Sequence, residues 1–178
     1  MRLCDALVGM TDMSEGSVDL IVTDPPYRVI SGGNTTKHRR CSGMLSANDG
    51  RIFEHNDIAP KDYAADLFRV LSDPGHLWIF VNELNRRSME DALLTAGFKI
   101  HMLGGWIKNN VTPNRWGMKN VEYVFLARKG AARTLYTPGL KQFEACPNII
   151  GSKRHPTEKP VDLLRLYIAA SSQTGQTV

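Results

Sequence analysis

Four runs of apolar, often β-branched residues stand out along the chain. We interpret these runs as buried strands, covering residues 18–23, 76–81, 98–107 and 121–127. The first run is followed at once by Asp24-Pro-Pro-Tyr27. Because two consecutive prolines lack N–H groups and have fixed φ angles, the chain must leave this strand as a stiff, irregular loop.

A first helix is predicted to begin near Pro60, where apolar residues recur at helical spacing. Its apolar face comprises Ala64, Leu67, Phe68 and Leu71. The Asp-Pro-Gly sequence at residues 73–75 is expected to stop this helix before the second strand begins.

Two further helices follow from the same kind of pattern. Residues 88–97 have helical spacing, with Ser88 and Asp91 resembling a capping box and Gly97 supplying the C-terminal stop. Residues 160–170 form the last predicted helix, with a proline in its first turn.

The order of these elements predicts the fold class. No helical pattern separates the third and fourth strands, so we expect them to pair antiparallel, whereas the other strands alternate with helices. This arrangement predicts a three-layer α/β sandwich with a mixed, mostly parallel sheet, formed by residues 1–178 as a single domain.

Residues 28–56 are polar and lack periodicity, as expected of a functional loop. After the last helix, residues 173–178 resemble the start of a further strand.

Composition and charge narrow the function classes only slightly. Hydrophobic residues make up 42 % of the chain and charged residues 22 %, and the net charge of +4 permits a polyanionic partner without requiring one. Three distant cysteines without a C-x-x-C pair argue against a zinc site; they are Cys4, Cys41 and Cys146. No 18-residue apolar run and no secretory signal occur, so we expect a cytoplasmic protein.

The Asp24-Pro-Pro-Tyr27 segment is the strongest candidate for chemistry. It places a carboxylate, a rigid backbone and an aromatic ring at the carboxyl end of a strand, where open α/β sheets bind ligands. Asp24 and the Pro25 carbonyl can accept hydrogen bonds from an amino group, and Tyr27 can stack on a base. The alternative interpretation is a turn that merely ends the strand.

Four segments in this order resemble the amino-group DNA methyltransferases. They are Val18-Asp-Leu-Ile-Val-Thr-Asp-Pro-Pro-Tyr27, Trp106-Ile-Lys-Asn109, Asn120-Val-Glu-Tyr-Val-Phe-Leu-Ala-Arg-Lys129 and His155-Pro-Thr-Glu-Lys-Pro160. The order is similar to that of the permuted group called the beta class. The resemblance implies S-adenosyl-L-methionine as cofactor, double-stranded DNA as partner, a flipped-out target base, and Asp24, Pro25, Pro26 and Tyr27 as the catalytic motif.

The resemblance also implies a set of binding residues. For the cofactor these are Asp5, Asp24, His155, Thr157, Lys159 and Pro160; for DNA they are Lys37, Arg39, Arg40, Trp106 and Lys108. Asp5 could instead be a solvated turn aspartate, and Pro160 a plain helix start. The basic cluster, within the loop 28–56 that we expect to face DNA, could equally be a solvated loop. Trp78 is expected in the core.

The motif and its surroundings leave two further questions. D-P-P-Y resembles the adenine enzymes of the family, whereas cytosine enzymes more often begin the motif with serine, so N6-adenine is expected and N4-cytosine is the alternative.

Family members continue into an F-x-G-x-G loop that binds the cofactor, but no two glycines here are separated by one residue. We therefore expect an incomplete cofactor side and an exposed edge beside the first strand, with the missing half coming from another chain, a dimer partner or a longer reading frame. The alternative is a non-catalytic remnant that binds DNA.

Overall fold

The computed structural model describes residues 4–26, 58–112, 117–149, 151, 154 and 157–178. Four α-helices and five strands occur in this part of the chain. In chain order they are α1 (Ala6–Thr11), β1 (Val18–Thr23), α2 (Ala64–Val70) after a 3-10 turn (Pro60–Asp62), β2 (Leu71–Val81), α3 (Arg86–Ala96), β3 (Lys99–Thr112), β4 (Lys119–Lys129), β5 (Phe143–Ala145) and α4 (Val161–Ser171).

The five strands form one mixed sheet in the order β1-β2-β4-β3-β5. β1 pairs parallel with β2, β3 pairs parallel with β5, and β4 runs antiparallel to both of its neighbours. The predicted antiparallel pairing of the third and fourth strands is therefore confirmed. Only β4 runs in the opposite direction. The carboxyl ends of the other four strands and the start of β4 therefore lie along one side of the sheet, which we call its carboxyl edge.

Alternating residues of β2 divide the core into two layers. Leu77, Ile79 and Val81 face a cluster that includes Leu67 of α2 and Met89 of α3. Trp78 and Phe80 point to the other face, where they pack with Leu163 and Tyr167 of α4. The rings of Trp78 and Tyr167 stack at 4.4 Å between centroids. The predicted three-layer sandwich is therefore confirmed, and Trp78 lies in the core.

The predicted end of the first helix is wrong. α2 ends at Val70, and Leu71 is already extended, pairing with Val18 in β1. At this end of the helix, Nζ of Lys129 donates to the carbonyls of Phe68 and Leu71, at 2.9 Å each, and so satisfies acceptors that have no partner within the helix. The Asp-Pro-Gly sequence at residues 73–75 lies inside β2, where it interrupts the pairing with β1.

The predicted capping box at the start of α3 is also wrong. The helix begins at Arg86, and the N-cap residue is Asn85, whose N–H donates to Oδ1 of Asn82 at 2.8 Å. Ser88 lies within the first turn, and its hydroxyl donates to the Asn85 carbonyl at 2.9 Å. The predicted stop is confirmed, since Gly97 caps the helix with a φ of 104°, a left-handed conformation that favours glycine.

Two elements, α1 and β5, were not predicted from the sequence. β5 carries little apolar signal, and its pairing depends on the close approach of β3 at Gly104 and Gly105. A Cβ atom on Gly104 would collide with the Gln142 carbonyl. This glycine pair therefore allows β5 to join the sheet.

The C-terminal residues lie along β1, which is an edge strand of the sheet. The Thr177 carbonyl accepts from the N–H groups of Asp19 and Leu20, at 2.9 and 3.2 Å. The N–H of Thr177 donates in return to Oδ2 of Asp19 at 2.8 Å. The edge that we expected to be exposed is therefore covered at this point. Within the described residues, no helix is both long and apolar enough to cross a membrane.

Candidate active site

The start of the D-P-P-Y motif lies where the sequence analysis places it. β1 ends at Thr23, and Asp24, Pro25 and Pro26 follow it without regular structure at the carboxyl edge of the sheet. Neither proline has an N–H group to continue the ladder, so the strand stops there. Crevices outside the carboxyl ends of strands are where open α/β sheets bind ligands.

Lys159 meets this motif from a distant part of the chain. Its Nζ atom lies 2.5 Å from Oδ2 of Asp24, although 135 positions separate the two residues. The Lys159 side chain is 8 % exposed and that of Asp24 is 25 % exposed, so water screens the ion pair only partly. The next residue, Pro160, is the N-cap of α4, and packing of α4 on the sheet sets the position of Lys159.

A second carboxylate, from Glu122 on β4, completes a network of four charged groups. Its Oε2 atom lies 3.2 Å from Nζ of Lys159, and its Oε1 atom forms an ion pair with Nζ of Lys108 on β3. Two lysines therefore balance two carboxylates at this edge. The ammonium groups also lie over aromatic rings, Lys108 at 5.1 Å from Trp106 and Lys159 at 5.2 Å from Phe80.

The lysines decide the ionisation of Glu122. Burial by itself would raise the pKa of this carboxyl group, but the nearby charges of Lys159 and Lys108 and their hydrogen bonds outweigh it. The net effect is a pKa below the ordinary carboxyl value, so Glu122 carries a negative charge at neutral pH.

Glu122 was not predicted as a site residue. Its signal was present, since a glutamate occurs inside the apolar run 121–127 of a predicted buried strand. A charged residue at such a position requires a partner. That the partners would be Lys108 and Lys159 follows only from the antiparallel pairing of β3 with β4 and from the packing of α4.

Two other residues of the predicted cofactor set have identifiable roles in local structure. Asp5 is the N-cap of α1, and its Oδ1 atom accepts from the N–H groups of Leu7 and Val8 at 2.9 and 3.3 Å. The carbonyl of Thr157 accepts from Nζ of Lys159 at 3.4 Å. This contact is local, and the cofactor roles of Asp5, Thr157 and Lys159 stay predictions.

Two residues predicted to contact DNA are engaged within the protein instead. Trp106 is 1 % exposed, packs in the core and donates from Nε1 to the Cys146 carbonyl at 2.6 Å. The Lys108 side chain is 16 % exposed and its charge is paired with Glu122. Because the Trp106 ring is buried and the Lys108 charge is paired, we do not propose a direct DNA contact for either residue.

Several predicted site residues lie outside the described part of the chain. They are Tyr27, Lys37, Arg39, Arg40 and His155, together with the loop 28–56. Their predicted roles in base stacking, DNA contact and cofactor binding remain predictions.

Known proteins match this chain in sequence and in fold, although no known family profile matches it. It is 26 % identical over 196 residues to the Type II methyltransferase M2.MboI of Moraxella bovis, covering 95 % of this chain and 69 % of that relative. It is 27 % identical over 195 residues to the Type II methyltransferase M2.DpnII of Streptococcus pneumoniae, covering 98 % and 73 %.

Solved structures show the same fold. The crystal structure of M1.HpyAVI with S-adenosylmethionine has a TM-score of 0.67 at 19 % identity, covering 98 % of this chain and 78 % of that one. A putative DNA modification methylase from Thermus thermophilus, complexed with S-adenosyl-L-methionine, has a TM-score of 0.63 at 18 % identity, covering 98 % and 74 %. In sequence this chain is therefore similar to Type II DNA methyltransferases, and it shares the fold of these two solved structures.

Proposed function

We propose that this methyltransferase transfers the methyl group of S-adenosyl-L-methionine to the exocyclic N6 amino group of a flipped-out adenine in double-stranded DNA. The ion pair between Asp24 and Lys159 carries this proposal. It joins the D-P-P segment to the H-P-T-E-K-P block at the edge where α/β sheets bind ligands. A turn that merely ends a strand needs no such partner.

The acceptors at the end of β1 suit an amino group. The lone pair of an exocyclic amine is delocalised into the base ring, so its nitrogen is a poor nucleophile. Hydrogen bonds donated to the Asp24 carboxylate and to the Pro25 carbonyl draw the nitrogen toward tetrahedral geometry and localise the lone pair. As the N–C bond forms, the S–C bond breaks and the nitrogen loses one proton.

The charges of the site are compatible with the proposed cofactor. S-adenosylmethionine supplies an activated methyl group on a positively charged sulfonium, and its methionine end carries a carboxylate and an ammonium. Asp24 and Glu122 favour positive charge at this edge, and Lys159 can bind a carboxylate. The described residues at this end of the sheet therefore fit the methionine end of the cofactor, whereas the part that the F-x-G-x-G loop binds in the family would need the missing half. The two solved neighbours complexed with this compound support the same choice.

The aspartate that begins the motif favours adenine over cytosine. In the family that this chain resembles, D-P-P-Y is usual among adenine enzymes. Both bases offer an amino group beside a ring nitrogen, so Asp24 and Pro25 could accept from either. Adenine is therefore proposed from the motif, and cytosine N4 is the outcome that the experiment must distinguish.

Mass spectrometry of nucleosides tests the proposal directly. The full chain is incubated with S-adenosylmethionine and unmethylated duplex DNA, and the DNA is then digested to nucleosides. We expect N6-methyladenine. N4-methylcytosine would overturn the choice of base. DNA binding without any methylated nucleoside would contradict methyl transfer by this chain alone, and would leave the non-catalytic alternative or a requirement for the missing half.

A pair of aspartate variants tests the role of the motif. Asp24→Ala should abolish methyl transfer and leave DNA binding largely unchanged, because the carboxylate acts on the amino group and not on the DNA backbone. Asp91→Asn, on the exposed face of α3, is the matched control and should retain activity. Turnover by Asp24→Ala equal to that of the control would contradict the assignment.

A further inference from the structure

A cavity lies at the opposite end of the sheet from Asp24, on the face that α4 covers. It has a volume of about 180 Å³ and is lined by residues of three strands, His76 of β2, His101 of β3 and Arg128 of β4. Arg133 and Leu135, from the segment after β4, also line it. None of the residues in the charge network around Asp24 lines this cavity.

Four of the eight residues that line the cavity are basic, and none carries a carboxylate. The basic residues are Arg128, Arg133, His76 and His101. Arg128 donates from Nη1 to the Gly130 carbonyl, and Arg133 donates from Nη2 to the Ser171 carbonyl at 2.6 Å. Because these contacts use backbone carbonyls and not carboxylates, neither arginine charge is neutralised by them.

Buried polar atoms beside the cavity lack a hydrogen-bond partner among the described residues. His76 is only 4 % exposed, and its Nδ1 atom has no partner there; the same holds for Nε of Arg133. Buried polar atoms are normally hydrogen-bonded, so each exception requires an explanation. A ligand with oxygen atoms in the cavity would supply partners to both.

The charges that face His76 are all positive. Burial is the largest effect on its pKa, and Arg133, His101 and Arg128 act in the same direction, while a hydrogen bond to the Arg133 backbone opposes them. Together they lower the pKa of His76 to about 4. A bound anion would reverse this balance, since it stabilises the protonated imidazole.

We propose that this cavity binds a phosphate group. The volume is several times the roughly 30 Å³ that one water molecule occupies in the liquid, so a tetrahedral oxyanion fits. Planar guanidinium groups bind phosphate oxygens with paired, charge-assisted hydrogen bonds. The phosphate could belong to a small phosphorylated molecule or to the backbone of bound DNA, and both sources present the same oxygens to the arginines.

Titration of the full chain with inorganic phosphate, followed by NMR of the histidine side chains, tests the proposal. We expect phosphate to shift the imidazole signals of His76 and His101 and to raise the titration midpoint of His76. Sodium chloride at equal ionic strength is the control for screening. Phosphate that shifts neither signal would overturn the proposal without the need for any variant.

Charge-removing variants locate the binding in the cavity. Arg128→Gln and His101→Gln should each weaken phosphate binding, the arginine variant by about tenfold, as loss of a charge-assisted hydrogen bond predicts. Arg87→Gln removes the same charge from an exposed position of α3, on the other face of the sheet, and should bind phosphate normally. Equal weakening in all three variants would show a general charge effect and would overturn the site.

A parallel measurement of duplex DNA binding identifies the source of the phosphate. If the DNA backbone enters the cavity, Arg128→Gln lowers DNA affinity and reduces the slope of its salt dependence by about one unit. If the ligand is a small phosphorylated molecule, Arg128→Gln weakens phosphate binding and leaves DNA affinity equal to that of Arg87→Gln. Either result supports the site, and circular dichroism confirms that each variant is folded.

Discussion

Nζ of Lys159 lies 2.5 Å from Oδ2 of Asp24, so the residue after β1 and the residue before the cap of α4 form an ion pair across 135 positions of sequence. Lys159 in turn contacts Glu122 on β4, and Glu122 contacts Lys108 on β3. The carboxylate proposed to accept the target amino group is therefore held by groups from three other parts of the fold. A well-defined position for this carboxylate is what a positioning mechanism requires.

Removal of the Lys159 charge should impair methyl transfer more than folding. Lys159→Met keeps the apolar stem of the side chain but leaves Asp24 without this partner, and a misplaced catalytic group can cost about 100-fold in rate. We expect methylation to fall by about that factor and unfolding free energy by about 1–3 kcal/mol, since the pair is partly buried. The measurements are single-turnover methylation and denaturant unfolding.

Lys141→Met is the matched control for this change because Lys141 is exposed in the segment before β5. It should preserve both rate and stability. A Lys159→Met protein with the activity of this control would show that the ion pair does not position Asp24.

Replacement of Glu122 should destabilise the protein in a pH-dependent manner. The pKa of Glu122 lies below its ordinary value of 4.5, so the charged form contributes stability above that pH. The contribution is lost as the pH falls through the lower pKa of the folded state. Glu122→Gln should therefore be less stable than wild type at pH 7, by about 1–3 kcal/mol, and the difference should shrink in acid.

Urea unfolding of the two proteins at a series of pH values measures this difference. Glu90→Gln, on α3, removes an exposed i,i+4 ion pair with Arg86 and is expected to change stability by less than about 0.5 kcal/mol. A Glu122→Gln difference that stayed constant down to low pH would contradict the ion-pair explanation.

Acid should weaken the fold through His76 as well. Its pKa is about 4 in the folded protein and 6.5 ordinarily, so the unfolded chain binds a proton first as the pH falls. The contribution of neutral His76 to the free energy of unfolding is therefore fully present above pH 6.5. It decreases as the pH falls toward 4, by up to about 3 kcal/mol. His76→Gln cannot titrate, and its stability should change less over this range, as urea unfolding at pH 7 and pH 4.5 would show. Parallel curves for the two proteins would refute this role.

The hydrogen bond between Trp78 and Ser171 should stabilise the attachment of α4 to the sheet. Nε1 of Trp78 donates to Oγ of Ser171 at 2.8 Å, and both residues are buried. Ser171→Ala leaves the indole N–H without this acceptor, so the unfolding free energy should fall by about 1–3 kcal/mol. Ser88→Ala, at an exposed position of α3, is the control and should cost less than about 1 kcal/mol. Equal thermal stability of the two variants would contradict the assignment.

The elements with strong local signals agree between sequence and structure. β1 has its predicted bounds. Its β-branched apolar run favours a strand, and the two prolines that follow cannot continue the hydrogen-bond ladder. Gly97 ends α3 where the left-handed cap requires it. By contrast, α2 ends before the Asp-Pro-Gly signal, where Lys129, from a strand far along the sequence, donates to the Phe68 and Leu71 carbonyls.

Periodicity and motif order are properties of neighbouring residues, and they were enough to predict the layered α/β architecture and the position of Asp24 at the end of a strand. Which charges meet depends on the tertiary structure. Lys159 pairs with Asp24 and Glu122 because α4 packs on the sheet, and Lys108 reaches Glu122 because β3 and β4 pair antiparallel. Trp106 lies in the core, although it was predicted to contact DNA. Pairing and burial depend on residues distant in sequence, and local pattern carries no information about that distance.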